Sequence, residues 1–435
     1  MKLPEITKSV QQRSFALFAG GQAISMVGTF AQTTAQSYVV YQMTQSTTLL
    51  GLVNALAFVP LLLLGPLAGA WSDRLDRRRL LLISQAITAL LAGVMALLLQ
   101  SGTLQVWHIL LFTLVLGVIN ALDLPAQSAI VGDIVGPTEV RRAAAIMAMV
   151  QQIGRMGGPA VAGFLLARVS QAGAFWLNAA SFAPVIISLL LIRTEQIRQP
   201  ANGRSLAQDF GEGLRFVRSQ PRMVDLFLLA ILTVLFGFIG PTLWPAFVAT
   251  TLKAGPDTLG LLTSATGVGA MLAAVLLVPW SMKYVQHPGR MLLILLIGVG
   301  LMQIANGLSR QLWLSFAVVA ISAICVAGTL ITAGGLLQQM APPAMRGRIM
   351  TLFQMASWGM QLPGALLAGL NGSLFGAANA IVLSGVLLLM GAVAIIALRP
   401  AIRHWQPTLV NWAASKASAP ANQFAATLAK APQGD

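Results

Sequence analysis

A single arginine inside an apolar stretch is the residue of this sequence best placed to do chemistry. Arg155 lies about 13 residues into the run 142–167, roughly 20 Å from its start in a helix that rises 1.5 Å per residue. Gln151 lies one helical turn before Arg155, and Gln152 three residues before it. A guanidinium at that depth must face protein or a wet cavity. Arg155 therefore either binds an anionic group of a small molecule, with Gln151 and Gln152 beside it, or donates hydrogen bonds within the scaffold.

Asp123 is the one carboxylate that falls clearly inside an apolar stretch, about five residues from the end of the run 107–128. Helical rise places it roughly 12 Å from the depth of Arg155, so we do not expect the two to pair directly. Asp123 is a candidate to carry a coupling proton. The alternative is a structural partner for Arg141, Arg142 or the basic loop at 71–79.

Amide and aromatic side chains at other apolar runs could line a cavity. Such groups suit amphipathic ligands, although each could equally serve packing. The candidates for binding are Gln32, Gln36, Tyr38, Trp244, Trp358 and Gln361.

Composition identifies the medium in which these residues act. Hydrophobic residues make up 57% of the 435 residues, charged residues 9%, and the mean hydropathy is +0.78. A soluble domain carries roughly 25% charged residues, so we expect an all-α integral membrane protein. The sequence has one cysteine and three scattered histidines, so we expect no metal site. It also lacks a nucleotide-binding loop and a nucleophile constellation, so we expect no cofactor and no enzymatic site. The net charge of +15 fits basic cytoplasmic loops better than nucleic-acid binding.

Twelve apolar runs are long enough to cross a bilayer. With both termini in the cytoplasm, 23 of the 27 Lys and Arg fall on the inner side and 3 on the outer side, which favours this orientation. The approximate limits of the runs, numbered one to twelve, are 15–42, 48–70, 79–100, 107–128, 142–167, 174–193, 223–249, 257–280, 290–308, 311–334, 347–370 and 376–398.

The chain repeats itself as six spans plus six. Gly51-Leu52 matches Gly260-Leu261, and the same order of features recurs at a nearly constant offset. Two pseudo-symmetric halves are typical of secondary transporters. We expect a cytoplasmic N-terminus at 1–14, a first half at 15–193, a linker at 194–222 with an amphipathic helix over 205–218, a second half at 223–398, and a largely disordered cytoplasmic tail at 399–435.

Two segments combine small residues with charge or proline. Between spans two and three, small residues and a charge cluster could latch helix ends in one conformational state, or could simply anchor a basic loop: Gly65, Gly69, Asp73, Arg74, Arg77 and Arg78. In span five, Gly154, Gly158, Pro159 and Gly163 could pack the helix tightly against a neighbour in the second half and limit leakage. The alternative is that Gly and Pro are simply common in membrane helices.

These segments resemble signatures of the major facilitator superfamily. The stretch from Gly65 to Arg79 is similar to its loop motif between helices two and three, and Asn120-Ala121-Leu122-Asp123-Leu124-Pro125-Ala126 is similar to a motif at the end of helix four. The segment from Gly154 to Gly163 is similar to the glycine-proline motif of its antiporters. The variants resemble the branch of drug, macrolide and enterobactin exporters. This resemblance implies a twelve-helix fold and export by antiport.

The sequence thus predicts a monomeric, multi-pass transporter of the inner (plasma) membrane that exports small amphipathic or anionic compounds, drug-like molecules or siderophores, by alternating access. Protons are the expected coupling ion, and the lipid bilayer and a small-molecule substrate the expected partners. Two alternatives stay open: a lysophospholipid or lipid transporter on the same scaffold, and a non-transporting membrane sensor.

Overall fold

A computed structural model describes residues 3–192, 206–343, 345–400 and 402. Inside helices, side chains are not described at 3–11, 66–74, 206–209 and 282–284. The described residues are helical almost throughout. The helices are α1 (Leu3–Thr44), α2 (Thr47–Arg74), α3 (Arg77–Gln100), α4 (Val106–Val135), α5 (Val140–Arg168), α6 (Gln171–Leu191), α7 (Leu206–Ser219), α8 (Pro221–Gly237), α9 (Ile239–Phe247), α10 (Pro256–Leu272), α11 (Val278–Tyr284), α12 (Pro288–Leu308), α13 (Leu312–Met340), α14 (Arg346–Gly359), α15 (Gln361–Phe375) and α16 (Ala377–Leu398).

Ten of the described helical segments are long and apolar enough to cross a membrane. The all-α membrane fold predicted from composition is therefore confirmed. Span five corresponds to α5 and span eleven to the pair α14–α15, and neither is among the ten. Both contain several polar side chains and pack against other helices, so the count of twelve stays a prediction.

The helix contacts repeat between the two halves. In the first half α1 packs against α5 and α6, α2 against α4, and α3 against α6. In the second half α9 packs against α15 and α16, α10 against α13, and α12 against α16. The halves meet mainly through α5 with α10 and α2 with α15. Because α2 corresponds to α10 and α5 to α15 in the repeat, these two contacts are equivalent by the internal symmetry.

Glycines bring the backbones of the two halves together at one side of the bundle. A Cβ on Gly51 of α2 would lie 2.5 Å from the carbonyl oxygen of Ala365 and 2.8 Å from the Cα of Gly369. A Cβ on Gly260 of α10 would overlap the carbonyl oxygen of Pro159 and lie 2.8 Å from the Cα of Gly163. Here α2 and α10 begin and α5 and α15 end, which is the predicted outer side. The halves are thus closed together at that side.

Span seven is broken into α8 and α9 at Phe238. Proline has no backbone N–H, so Pro241 leaves the carbonyl of Gly237 without its helical donor. The side-chain amide of Gln303 on α12 donates to this carbonyl at 3.1 Å and to that of Phe236 at 3.3 Å. A buried polar group without a partner is costly in an apolar medium, so Gln303 makes the break tolerable.

A helix is present at Leu206–Ser219, where the amphipathic pattern predicts one, and it packs against α8 and α14. Glu212 pairs with Arg348 of α14, and Val217 is buried in the core of the second half. Phe210 of the same helix is 44% exposed. The start of the predicted linker and nearly all of the predicted tail lie outside the described residues.

We expect Gly260→Val to open the outer side. Its side chain cannot fit against the backbone of α5 without separating α5 from α10. Spin labels at Thr103 and Arg310, in a Cys325→Ser background, should therefore report a longer distance population. Gly335→Val is the matched control, because a Cβ at Gly335 meets no atom within 4 Å. The same distance distribution in both variants would contradict a closed contact at Gly260.

Candidate transport site

Arg155 lies where α1, α5 and α10 meet, at the junction of the two halves. Its backbone packs against α10, where a Cβ on Gly267 would lie 2.9 Å from the carbonyl carbon of Arg155. Its guanidinium carbon lies 5.6 Å from the centre of the Phe30 ring on α1. The Nε atom is shielded from solvent and has no hydrogen-bond partner. Among the described residues, no ion pair reaches this guanidinium.

Gln151 and Gln152 lie on the face of α5 that carries Arg155, four and three residues before it. Gln151 is exposed and Gln152 is half-buried. Two amides and a guanidinium therefore lie within one and a half turns of α5, and they offer several hydrogen-bond donors to a ligand.

The candidates on α1 are already engaged inside the first half. The amide oxygen of Gln32 accepts a hydrogen bond from Asn178 of α6 at 2.8 Å. The amide of Gln36 donates to Thr113 of α4 at 2.8 Å. Tyr38 packs against the outer part of the core. The structure thus places these three side chains where they hold α1 against its neighbours.

The aromatic candidates of the second half occupy different surroundings. Trp244 is buried in the core that joins the halves, and its indole N–H has no hydrogen-bond partner. Trp358 donates to Gln354 one turn earlier on α14 at 3.1 Å. Gln361 is half-buried at the start of α15. No contact in the described residues brings these three side chains to Arg155.

Asp123 is a residue of α4 that faces α3, and it is only 5% exposed. Its Oδ2 atom accepts a hydrogen bond from Gln85 of α3 at 2.9 Å, whereas Oδ1 is buried without a partner. None of its described contacts is with Arg155, as the difference in depth predicts. Asp123 also makes no described ion pair with Arg141 or Arg142.

The glycine-proline segment of span five packs against two different helices. A Cβ on Gly154 or Gly158 would lie 2.6 Å from the Cβ of Met26 or of Phe30 on α1, respectively. These two glycines therefore pack inside the first half, which corrects the expectation that they face the second. Pro159 and Gly163 do face α10 of the second half. Gly154 and Gly158 are four residues apart and share one face of α5, whereas Pro159 and Gly163 lie one and five residues further on and point to another face.

The predicted latch is a set of contacts within the first half, as far as its side chains are described. Both oxygens of Asp133 on α4 lie 3.0 Å from Arg77, and Arg78 donates to the carbonyls of Leu189 and Leu190 at the end of α6. Asp76 accepts from the first backbone N–H groups of α3. These contacts join the ends of α3, α4 and α6.

Among the other residues of the predicted latch, the structure does not describe the surroundings of Gly69, Asp73 and Arg74. A Cβ on Gly65 would meet no atom within 4 Å. Gly65 therefore makes no close approach to another helix among the described residues.

Residues 8–430 match the family model described as transmembrane secretion effector, a family of the major facilitator superfamily. The chain belongs to this family. It is 23% identical to an uncharacterized major facilitator-type transporter, YfiS of Bacillus subtilis, over 61% of this chain and 64% of that relative. It is 26% identical to the enterobactin exporter EntS of Escherichia coli over 85% and 88% of the two chains. The fold matches a bacterial homologue of the lysosomal transporter Spinster, with a TM-score of 0.72, 15% identity, and 92% and 100% coverage.

The protein is accordingly a multi-pass membrane transporter of the major facilitator type. The first relative is matched over slightly less than two thirds of its length. Membership in a family of transporters argues against the sensor alternative and against an enzyme.

Several residues of this transporter's site were not predicted from the sequence. Phe30 lies 125 positions before Arg155, and no pattern indicates that the two side chains meet. The roles of Gln303 and Asp133 likewise become visible only from the residues that they contact in the folded chain. Gly260 did carry a signal, because it is the repeat partner of Gly51.

We expect Asp133→Ala to destabilise the transporter by about 3 kcal/mol, because Arg77 then loses a buried partner. The side chains of Arg77 and Asp133 are only 9% and 6% exposed. Thermal unfolding in detergent measures the effect. The double variant Arg77→Met/Asp133→Leu should recover part of the stability, since it removes both charges of this buried pair together.

Arg79→Ala is the control for this measurement. The Arg79–Asp76 pair is exposed, and such pairs contribute about 0–1 kcal/mol. Equal unfolding temperatures for Asp133→Ala and Arg79→Ala would show that the Arg77–Asp133 pair contributes nothing special.

Proposed function

We propose that this transporter is a secondary active exporter of small amphipathic anions that binds the anionic group at Arg155. It crosses the inner (plasma) membrane twelve times as a monomer, with both termini in the cytoplasm, and the two halves rock around the site. The observation that carries the proposal is the unpaired guanidinium of Arg155 at the junction of the halves.

A charge at membrane depth is costly, and such residues face cavities or pair with other groups. Described residues give Arg155 one ring face and no hydrogen bond or anion. The remaining N–H groups are free to hold a ligand, and a carboxylate can accept two of them in parallel. Gln151 and Gln152 add neutral donors on the same face. This supports ligand binding over the purely structural role of Arg155.

The position of Arg155 also suits alternating access. It lies two helical turns along α5 from Gly163, which belongs to the closed contact at the predicted outer side. A ligand entering from the inner side would meet Arg155 before reaching that closure. Release then requires the contacts of Gly51 and Gly260 to open.

The relatives support export and the class of cargo. Those with an assigned transport role include EntS, the multidrug efflux pump Tap of Mycolicibacterium fortuitum at 25% identity, and a macrolide efflux protein of Streptococcus pyogenes at 23%. Drug-like molecules and siderophores are therefore the compounds to test. Amphipathic molecules of this kind match one charged group in apolar surroundings.

We further propose that proton influx drives export through Asp123. This carboxylate has one buried oxygen with no hydrogen-bond partner, so the site could accommodate a proton there. Asp123 faces α3 from α4, so the proposed proton site is separate in space from the proposed cargo site at Arg155. Coupling would then act through the packing of α4 against α2, which contacts the second half at α15.

Arg155→Gln should abolish binding of anionic compounds with folding intact, and Arg155→Lys should retain part of it, because lysine keeps the charge but not the planar geometry. The measurement is binding and proteoliposome transport over a panel of drug-like compounds and siderophores. Arg168→Gln, which removes an exposed arginine from the end of the same helix, is the control. Unchanged anion binding in Arg155→Gln would leave Arg155 with a scaffold role alone.

Asp123→Asn keeps the shape of the side chain but cannot release a proton. In proteoliposomes it should exchange cargo between the two sides without a gradient, yet lose accumulation driven by an imposed pH gradient. Asp257→Asn, at the first turn of α10, is the control and should keep both activities. Accumulation that persists in Asp123→Asn would exclude Asp123 as the coupling group.

A further inference from the structure

The Phe30 ring occupies one side of the Arg155 guanidinium. The ring is half-buried on α1, and its centre lies 5.6 Å from the guanidinium carbon. An arginine above an aromatic face is attracted by the ring quadrupole, and the attraction increases when water is excluded. The ring therefore provides Arg155 with a described partner that uses none of its N–H groups.

The absence of a side chain at Gly158 allows Phe30 to lie close to α5. A Cβ at Gly158 would lie 2.6 Å from the Cβ of Phe30 and 2.9 Å from the backbone nitrogen of Ala31. Any larger residue would push this turn of α1 away from α5. The glycine lies three residues after Arg155 on the same helix, so one helix carries both the cation and the space that admits its aromatic partner.

We propose that Phe30 and Gly158 are positioning residues for Arg155, which they hold with its guanidinium edge presented as a two-point site for a carboxylate. The inference rests on the proposed function, because it assigns the class of anion that the same site takes. With the Phe30 ring on one side of the guanidinium, a ligand reaches the N–H groups from the other sides. Two parallel N–H groups of a guanidinium match the two oxygens of a carboxylate.

The same arrangement gives the glycine-proline segment a second role. Gly154 packs against Met26 with the same Cβ distance, 2.6 Å, and Phe30 is not among its nearest neighbours. Replacing either glycine with alanine loosens α1 from α5. Replacement of Gly158, which faces Phe30 itself, should displace the aromatic partner of Arg155 further than replacement of Gly154. The two glycines therefore form a matched pair that separates packing from positioning.

The first test needs no ligand. Purified full-length protein in lipid nanodiscs is treated with phenylglyoxal, an arginine reagent, and modification of Arg155 is followed by mass spectrometry of its peptide. Phe30→Leu and Gly158→Ala should raise the rate of Arg155 modification, because the guanidinium loses its aromatic partner. We expect a factor of about five to thirty, which corresponds to the free energy of a desolvated cation–π contact. Phe30→Tyr should retain the wild-type rate, and Gly154→Ala should change it less than Gly158→Ala does. Equal rates in Phe30→Leu and Phe30→Tyr would overturn the positioning role.

The second test addresses the ligand. Thermal stabilisation of the protein is measured with 2-naphthoate and with the neutral amide 2-naphthamide as probes. Wild type and Phe30→Tyr should be stabilised by the carboxylate more than by the amide, and Phe30→Leu should lose this preference. In an Arg155→Gln background, Phe30→Leu should have no further effect on the preference.

The outcomes distinguish the two proposals. If wild type shows no preference for the carboxylate, the proposed anion site at Arg155 fails, and the modification rates still decide the role of Phe30. If wild type prefers the carboxylate and Phe30→Leu does so equally, the anion site stands and the positioning role of Phe30 and Gly158 is wrong.

Discussion

The fold depends on the approach of two backbones at contacts that only glycine permits. Gly51 against Gly369 and Gly260 against Gly163 bring the halves together without side chains between them. Close packing of helices in lipid relies on dispersion and on small residues, because lipid supplies no hydrophobic drive between helices. The two contacts are related by the internal repeat, so neither half closes the outer side alone. The site at Arg155 and the accessibility of that site follow from this closure.

The interior of each half is held by polar contacts of a different kind. Gln32, Gln36 and Arg77 each bind a partner on a neighbouring helix of the same half. In a medium without water such hydrogen bonds persist, since separated groups would find no replacement partner. Between the halves, glycine and backbone form the close approaches at the outer side, and the Thr47 hydroxyl adds one hydrogen bond to the carbonyl of Gly369 at 3.2 Å. This division suits two bodies that stay rigid internally and separate from each other.

Much of this arrangement could be predicted from the sequence, and the remainder is a matter of helix rotation. The apolar runs predicted the helices, and the internal repeat related Gly51 to Gly260. The position of Arg155 far inside an apolar run identified it as a candidate site residue. Spacing also gave the stripe of Gly154 and Gly158, but periodicity along one helix does not indicate which neighbour the stripe meets. Contacts such as Phe30 with Arg155 and Gln85 with Asp123 depend on how helices far apart in sequence are rotated about their axes. No pattern within a single sequence contains that information.

The break in span seven has a mechanical consequence. Pro241 removes a donor from α8–α9, and Gln303 of α12 supplies one from outside. If α8–α9 slid past α12, the carbonyl of Gly237 would lose its donor in an apolar interior. The hydrogen bonds of the Gln303 amide therefore hold α8–α9 at a fixed position along α12. When the second half tilts, the broken helix must travel with it, and any bending at Phe238 must leave Gln303 within reach of both oxygens.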